Sequence, residues 1–176
     1  EMCIRDSTNT ALGGDTVSGG ETLRFNDGDL TGTTTSGGGV TLTGTGDGDD
    51  ITLTGAGGAN LDGDAGDDTL TGAAGDDFIR CGAGTDGVMF AGNKGDFSFQ
   101  LASDVTLTVT DTNTNTALGV DTVSQVETLR FNDGELAVTT ASNGSVTLTG
   151  SSVDDVITLA GSVGGTLEGG LSLIHI

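Results

Sequence analysis

Apolar residues along this chain come singly rather than in runs, and they keep a period. Between residues 45 and 89 glycine recurs every nine residues, at Gly48, Gly57, Gly66, Gly75 and Gly84. Two positions after each lies Asp50, Ala59, Asp68, Asp77 or Asp86, and four positions after each lies Thr52, Leu61, Leu70, Ile79 or Val88. The unit is x-x-x-G-x-D-x-U-x, with U usually apolar. Its Gly-rich six residues can turn tightly, because Gly accepts positive φ without Cβ strain. The three that follow predict a short strand with one side chain inward and its neighbours outward. Stacked turns would then bury a thin ladder of U residues. Elsewhere TLTVTDT at 106–112 alternates as a strand does. Asn26-Asp27-Gly28 and Asn132-Asp133-Gly134 follow strands ending Leu-Arg-Phe, a hairpin-turn signal.

A longer repeat overlies this one. Thr8 to Leu30 returns at Thr114 to Leu136, an offset of 106 residues, with four of 23 positions differing. Val40 to Gly44 returns at Val146 to Gly150, and Ile51 to Leu53 at Ile157 to Leu159. The chain therefore reads as about one and a half copies of one module. In this register 8–44 is the end of a preceding module, 45–89 the nonapeptide array, 90–136 a β-rich segment and 137–170 the start of the next module. Residues 1–7 (EMCIRDS) match nothing in Leu107 to Asn113, and 171–176 (LSLIHI) break the register. Both resemble translated sequencing-adapter read-through and are expected to be non-native. That leaves Cys81 as the one genuine cysteine, so no internal disulfide is expected. A small buried residue is the expected role of Cys81.

Composition narrows the chemistry. The 176 residues include 33 Gly, no Pro, Trp or Tyr, and 26 Asp plus Glu against 5 Lys plus Arg, a formal charge of −21. So few aromatics predict a small core, one that needs repetition or a metal to offset chain entropy. The charge has the wrong sign for nucleic acid and for anionic membranes. No apolar run is long enough for a membrane span. Carboxylates spaced this closely repel one another unless a cation lies between them. Stacked loops would bring Asp side chains together with outward-facing carbonyls, and hard oxygens of that kind suit calcium.

GDAGDDTLT at 63–71, GAAGDDFIR at 72–80 and CGAGTDGVM at 81–89 resemble the RTX family of hemolysin-type calcium-binding repeats, whose motif is G-G-x-G-x-D-x-U-x. Asp64 and Ala73 replace the second Gly of the motif, and Cys81 the first. The resemblance implies an all-β fold, a parallel β-roll or β-solenoid with adjoining β-hairpin segments, in which each nonapeptide is half a coil. Alternate loops would then stack on one edge. Loops 45–50, 63–68 and 81–86 would hold calcium between Asp50 and Asp68 and between Asp68 and Asp86, with Asp49, Asp67 and the backbone of Gly48, Gly66 and Gly84 beside them. Asp77, with Ala59 and Gly95 as neighbours, would hold at most half a site.

Rival signals are weaker. Gly82 to Gly87 fits G-x-G-x-x-G, but no helix follows. Asp62-Gly63-Asp64 starts like an EF-hand loop without its later Gly and Glu. A Thr ladder facing ice is the exotic reading of the Thr runs. No His-Glu-x-x-His or G-x-S-x-G motif is present. Paired carboxylates alone do not make a glycosidase without an aromatic-lined cleft. The expected function is a calcium-dependent structural module, not an enzyme, in an extracellular or surface RTX-type protein. Its partners would be calcium and neighbouring modules, with no nucleic acid, no membrane insertion and an external ligand left open. The alternative is the C-terminal calcium-binding, secretion-assisting region of a secreted enzyme or toxin.

Overall fold

The computed structural model describes residues 21–24, 29–34, 39–53, 57–102, 105–114, 116–142, 145–150, 157–160, 166–168 and 174–175, with those outside 39–150 described by backbone alone. The expectations for residues 1–7 and for the Asn26-Asp27-Gly28 turn fall outside these residues. In chain order the strands are β1 (Glu21–Arg24), β2 (Asp29–Thr34), β3 (Val40–Thr43), β4 (Asp50–Thr52), β5 (Ala59–Asp62), β6 (Thr69–Thr71), β7 (Phe78–Arg80) and β8 (Gly87–Met89). A short 3-10 turn, Lys94–Asp96, precedes β9 (Phe97–Leu101), β10 (Leu107–Asp111), β11 (Val120–Ser124), β12 (Thr128–Phe131), β13 (Gly134–Thr140) and β14 (Val146–Thr149). Then come β15 (Ile157–Ala160), β16 (Thr166–Glu168) and β17 (Ile174–His175). The protein is all-β.

Successive nonapeptides send their strands to opposite sheets. β4, β6 and β8 pair in parallel within a seven-stranded sheet, and β3, β5 and β7 pair in parallel within a ten-stranded one. One inward side chain per strand is what the period demands. Ile51, Leu61, Leu70, Ile79 and Val88 are buried, while most of their strand neighbours face outward or lie half-buried, Ala59 and Gly87 being the exceptions.

Both sheets are mixed, parallel among the nonapeptide strands and antiparallel in the segments beside them. The antiparallel strands come from outside the nonapeptides: β9 with β10, β10 with β11, β12 with β13, and β13 with β14. Short connections such as Asn132–Asp133 permit antiparallel return, whereas parallel neighbours need a crossover. β11 and β12 then prolong the two parallel stacks. Val123 pairs with Ile79 of β7, and Leu129 with Val88 of β8.

The 106-residue repeat has a structural counterpart. Thr22 faces Thr31 and Leu42 faces Leu61; 106 residues later Thr128 faces Ala137 and Leu148 faces Leu167. The first set lies in the ten-stranded sheet and the second in the seven-stranded one, so equivalent strands exchange sheets.

The core is larger than the low aromatic content predicts. Four of the six Phe fall between 90 and 131, and Phe90, Phe97 and Phe131 lie mutually within 5.5 Å, with Phe99 6.0 Å from Phe131. Leu101, Leu107, Val109, Leu136 and Leu148 join the same buried cluster as the ladder. Local concentration, not overall percentage, made this possible. Lys94 is buried beside it, its N–H donating to Asp133 Oδ1 at 2.8 Å and so tying the 3-10 turn to the β12–β13 turn.

Leu70 has no exposure and sits mid-ladder between Ile51 and Val88. Leu70→Ala should cost about 2 to 5 kcal/mol. Thr52→Ala, on an exposed position, should stay within about 0.5 kcal/mol. Urea unfolding with millimolar calcium present measures both.

Candidate carboxylate site

The loops between strands are stitched by one repeated contact. The N–H of Asp49 donates to Asp68 Oδ1 at 2.7 Å, and the N–H of Asp68 donates to Asp86 Oδ1 at 2.9 Å. On the opposite edge the N–H of Ala59 donates to Asp77 Oδ1 at 2.7 Å. Each motif Asp thus accepts from the coil before it. Each is also buried: Asp68 is 2%, Asp77 4% and Asp86 1% exposed. The second oxygen of all three, Oδ2, is enclosed and meets no hydrogen-bond partner.

In the loops of Asp68 and Asp77 the opening glycine makes room for that second oxygen, whereas Cys81 opens the loop of Asp86. A Cβ on Gly63 would strike Asp68 Oδ2 and the Cys81 carbonyl, and one on Gly72 would strike Asp77 Oδ2. The fourth position of the loop has a different need: Gly66 holds φ +117, a backbone that side chains rarely adopt. Asp64 stands where the motif has its second Gly and keeps a positive φ of 71. Asp tolerates that region better than most residues.

The structure changes two of the expected assignments. Leu42 pairs with Leu61, and Ile51 with Leu70, an offset of 19, whereas Leu61 with Ile79 and Leu70 with Val88 are offset by 18. One extra residue therefore separates Ile51 from Leu61, and the first repeat is out of phase with the count from Gly48. Ile51, not Thr52, is the buried residue, and Asp49, not Asp50, stands in line with Asp68. Asp50 is exposed at the start of β4. Asp49 Oδ2 is already bonded by the N–H and hydroxyl of Thr45. Gly48 shifts with it: a Cβ there would meet the Asp67 carbonyl, while Gly66 faces Asp47 and Gly84 faces Gly66. Asp67 is exposed, its Oδ1 accepting from Thr85 N–H at 2.8 Å.

The second change concerns Asp77, whose neighbour in the stack is Asp121 rather than Gly95. The N–H of Asp77 donates to Asp121 Oδ1 at 2.9 Å, and that of Asp86 donates to Glu127 Oε2 at 2.9 Å. So the two ladders run Asp49–Asp68–Asp86–Glu127 and Ala59–Asp77–Asp121. The signal for Asp121 was present in Gly119-Val120-Asp121-Thr122-Val123-Ser124, which repeats G-x-D-x-U-x outside the nine-residue register. Gln125-Val126-Glu127-Thr128-Leu129 repeats it with Gln125 at positive φ and Glu in place of Asp.

Burial without a counter-charge shows in the ionisation. Desolvation raises the pKa of Asp68 despite the Asp49 N–H, with Asp86, Asp49 and Asp67 adding repulsion. Desolvation also raises Asp77 against the Ala59 N–H, and lifts Asp121 to about 7. Asp111 goes the other way. Burial would raise it, but the Leu118 N–H, Thr116 hydroxyl and Asn113 N–H outweigh that and hold it low. Those bonds shape the loop that leads into β11. Burial also pushes the Cys81 thiol well up, as suits the small, fully enclosed residue expected there.

Among the described residues no group of three or more His, Cys, Asp or Glu side chains could by itself hold a metal ion. The geometry explains this, since a stack supplies one buried carboxylate per coil, and coils repeat at about 4.8 Å. No helix among the described residues is long and apolar enough to cross a membrane.

Comparison with known proteins gives a distant likeness. No family model and no curated protein matches the chain. One similar solved structure is the extracellular lipase LipA from Serratia marcescens, at TM-score 0.47 and 18% identity, covering 73% of this chain and 26% of the lipase. The chain spans about a quarter of that protein's length, and a likeness so remote carries no argument.

Raised carboxylate pKa values fix a sign. The folded chain retains protons that the unfolded chain releases, so their contribution to metal-free stability is full below about pH 4 and is lost as the pH rises, for Asp121 through about 7. Asp111 acts oppositely, its contribution fading as the pH falls below the ordinary carboxylate range. In excess chelator the thermal midpoint should therefore fall between about pH 4.5 and pH 8. A midpoint that rises over that interval contradicts the assignment.

Proposed function

We propose that this chain is a calcium-binding structural module of a secreted, RTX-type protein, and that residues 40–89 with β11 and β12 form a β-roll completed by the ion. The observation that carries this is the set of buried carboxylates at Asp68, Asp77 and Asp86, each with one oxygen bonded to the preceding coil and the other bare. A buried carboxylate without compensation costs several kcal/mol. A cation provides the missing partner without altering the fold. On one edge Asp68 and Asp86 are the carboxylates we assign to calcium, with Asp49 below them and loop carbonyls completing the shell. Calcium accepts such sets because it takes six to eight oxygens in flexible geometry.

When bound, the ion supplies positive charge and oxygen coordination, and nothing else is asked of it. The chain's own residues do the rest. Backbone N–H groups hold each carboxylate in place, Gly63 and Gly72 leave space at Oδ2, and the apolar ladder fixes the coil spacing. Calcium that binds the folded form alone stabilises it by mass action. Sites of extracellular modules bind at roughly 10⁻⁴ to 10⁻³ M. The array would thus stay loose at low calcium and order outside the cell, which fits export of an unfolded chain by a type I route. We assign no catalytic role. Calcium ions and neighbouring modules are the partners proposed.

Asp68→Asn keeps the acceptor for Asp49 N–H but removes the charge. It should raise the calcium concentration at half-maximal change in far-ultraviolet circular dichroism by about tenfold, equivalent to roughly 1.4 kcal/mol. Asp50→Asn should move it less than about twofold, since that side chain is exposed. A larger effect at Asp50, or no calcium response in the parent chain, contradicts the proposal.

A further inference from the structure

The 106-residue repeat returns as strand pairing, and its two occurrences differ at one place. β12, β13, β14 and β16 pair in the same order and sense as β1, β2, β3 and β5, and β15 is the counterpart of β4. What differs is the neighbour on the outer side. β12 lies in parallel against β8, and β15 in parallel against β9 with Leu159 opposite Phe99. Among the described residues β1 and β4 have no such neighbour, being the first strands of the ten-stranded and seven-stranded sheets.

The joint between β8 and β12 is made of backbone bonds and apolar burial. The Thr128 N–H donates to the Asp86 carbonyl at 3.0 Å, and the Phe90 N–H donates to the Arg130 carbonyl at 2.9 Å. Leu129 and Val88, paired at its centre, have no exposure. Glu127 Oε2 accepts from the Asp86 N–H. The residues on the β12 side, Glu127 to Gly134, stand unchanged at Glu21 to Gly28. β1 also keeps the same register on β2, with Thr22 opposite Thr31 as Thr128 is opposite Ala137. The Thr22 N–H and the Arg24 carbonyl therefore point to the outer side of β1. An unpaired row of that kind is a template for another strand.

We infer that the open edges of β1 and β4 take the β8 and β9 counterparts of a preceding copy of the module, so that successive modules build one continuous pair of sheets. This deepens the neighbouring-module reading above and rests on it, but not on calcium. A second chain cannot fill the role, because its β8 and β9 are already covered by its own β12 and β15. The joint is made within one chain. Equivalent strands exchange sheets across it, so a given strand returns to the same sheet only at every second module. Outward side chains such as Phe78, 47% exposed, then alternate between the two faces of the array.

The test compares the whole chain with a longer one in which residues 8–113 precede residues 8–176, so that the repeat register runs on unbroken. Residue-resolved amide exchange is read in calcium and in chelator. In the parent, the Thr128 N–H is expected to exchange about a hundredfold more slowly than the Thr22 N–H, although identical residues surround them. In the longer chain that segment occurs three times, and two of the three should be protected. Protection of one alone overturns the joint, whether or not the chain binds calcium. Two protected segments in a chain that binds no calcium uphold the joint and sink the calcium reading. If the longer chain does not fold, the parent still decides. Equal protection of Thr22 and Thr128 in a chain shown to be monomeric by sedimentation overturns the inference, since β1 would then have no open edge. Protection of Thr22 that grows with protein concentration overturns it too, because the partner would be a second chain.

Discussion

The fold depends on one contact repeated from coil to coil, a backbone N–H donating to a carboxylate of the next coil. It serves two purposes at once. A short strand of three residues makes few ladder hydrogen bonds, so the loops need bonds of their own, and a charged acceptor makes a stronger bond than a neutral one. The same contact draws Asp68, Asp77, Asp86 and Asp121 out of water. Burial then leaves negative charge with half its valences unused. The stacking is what creates the demand for a cation, and on the calcium reading a cation is what makes the stacking tolerable.

Much of this was legible in the residues, for a physical reason. A nine-residue period fixes which side chain points inward, so Leu61, Leu70, Ile79 and Val88 were readable without coordinates, as were Asp68, Asp77 and Asp86. The phase of the first repeat was not. Asp49 and Asp50 are adjacent, and so are Ile51, Thr52 and Leu53, so a count from Gly48 and a count from Asp47 both look plausible. Only the 19-residue pairing of Ile51 with Leu70 separates them. Asp121 and Glu127 were hidden differently. They satisfy the spacing of the motif but are joined to it by a chain excursion of more than 30 residues, and no local pattern announces where such an excursion returns.

The apolar end beyond the nonapeptide array rests on different physics from the array itself. Along the array one apolar side chain per strand is buried, whereas between residues 90 and 148 four Phe rings and several Leu and Val form a cluster of ordinary globular character. Burial there offsets chain entropy without an ion. The two regions share strands β7 and β8 with β11 and β12, so the apolar end gives the array a fixed surface on which to stack. This is the arrangement expected of a repeat whose terminal coil would otherwise leave its carbonyls and carboxylates exposed. The sheet exchange of equivalent strands across 106 residues shows the same pairing rules operating on either side.

The most direct measurement is amide hydrogen exchange, resolved by residue, on the intact chain in chelator and then in millimolar calcium. The account predicts that Asp49, Ala59, Asp68, Asp77 and Asp86, whose N–H groups face carboxylates, exchange rapidly without the ion and become protected by orders of magnitude with it, while Val109 and Leu136 in the apolar end change little. Equal protection of the array amides in both conditions would contradict it, because the carboxylate ladder would then need no cation to stand.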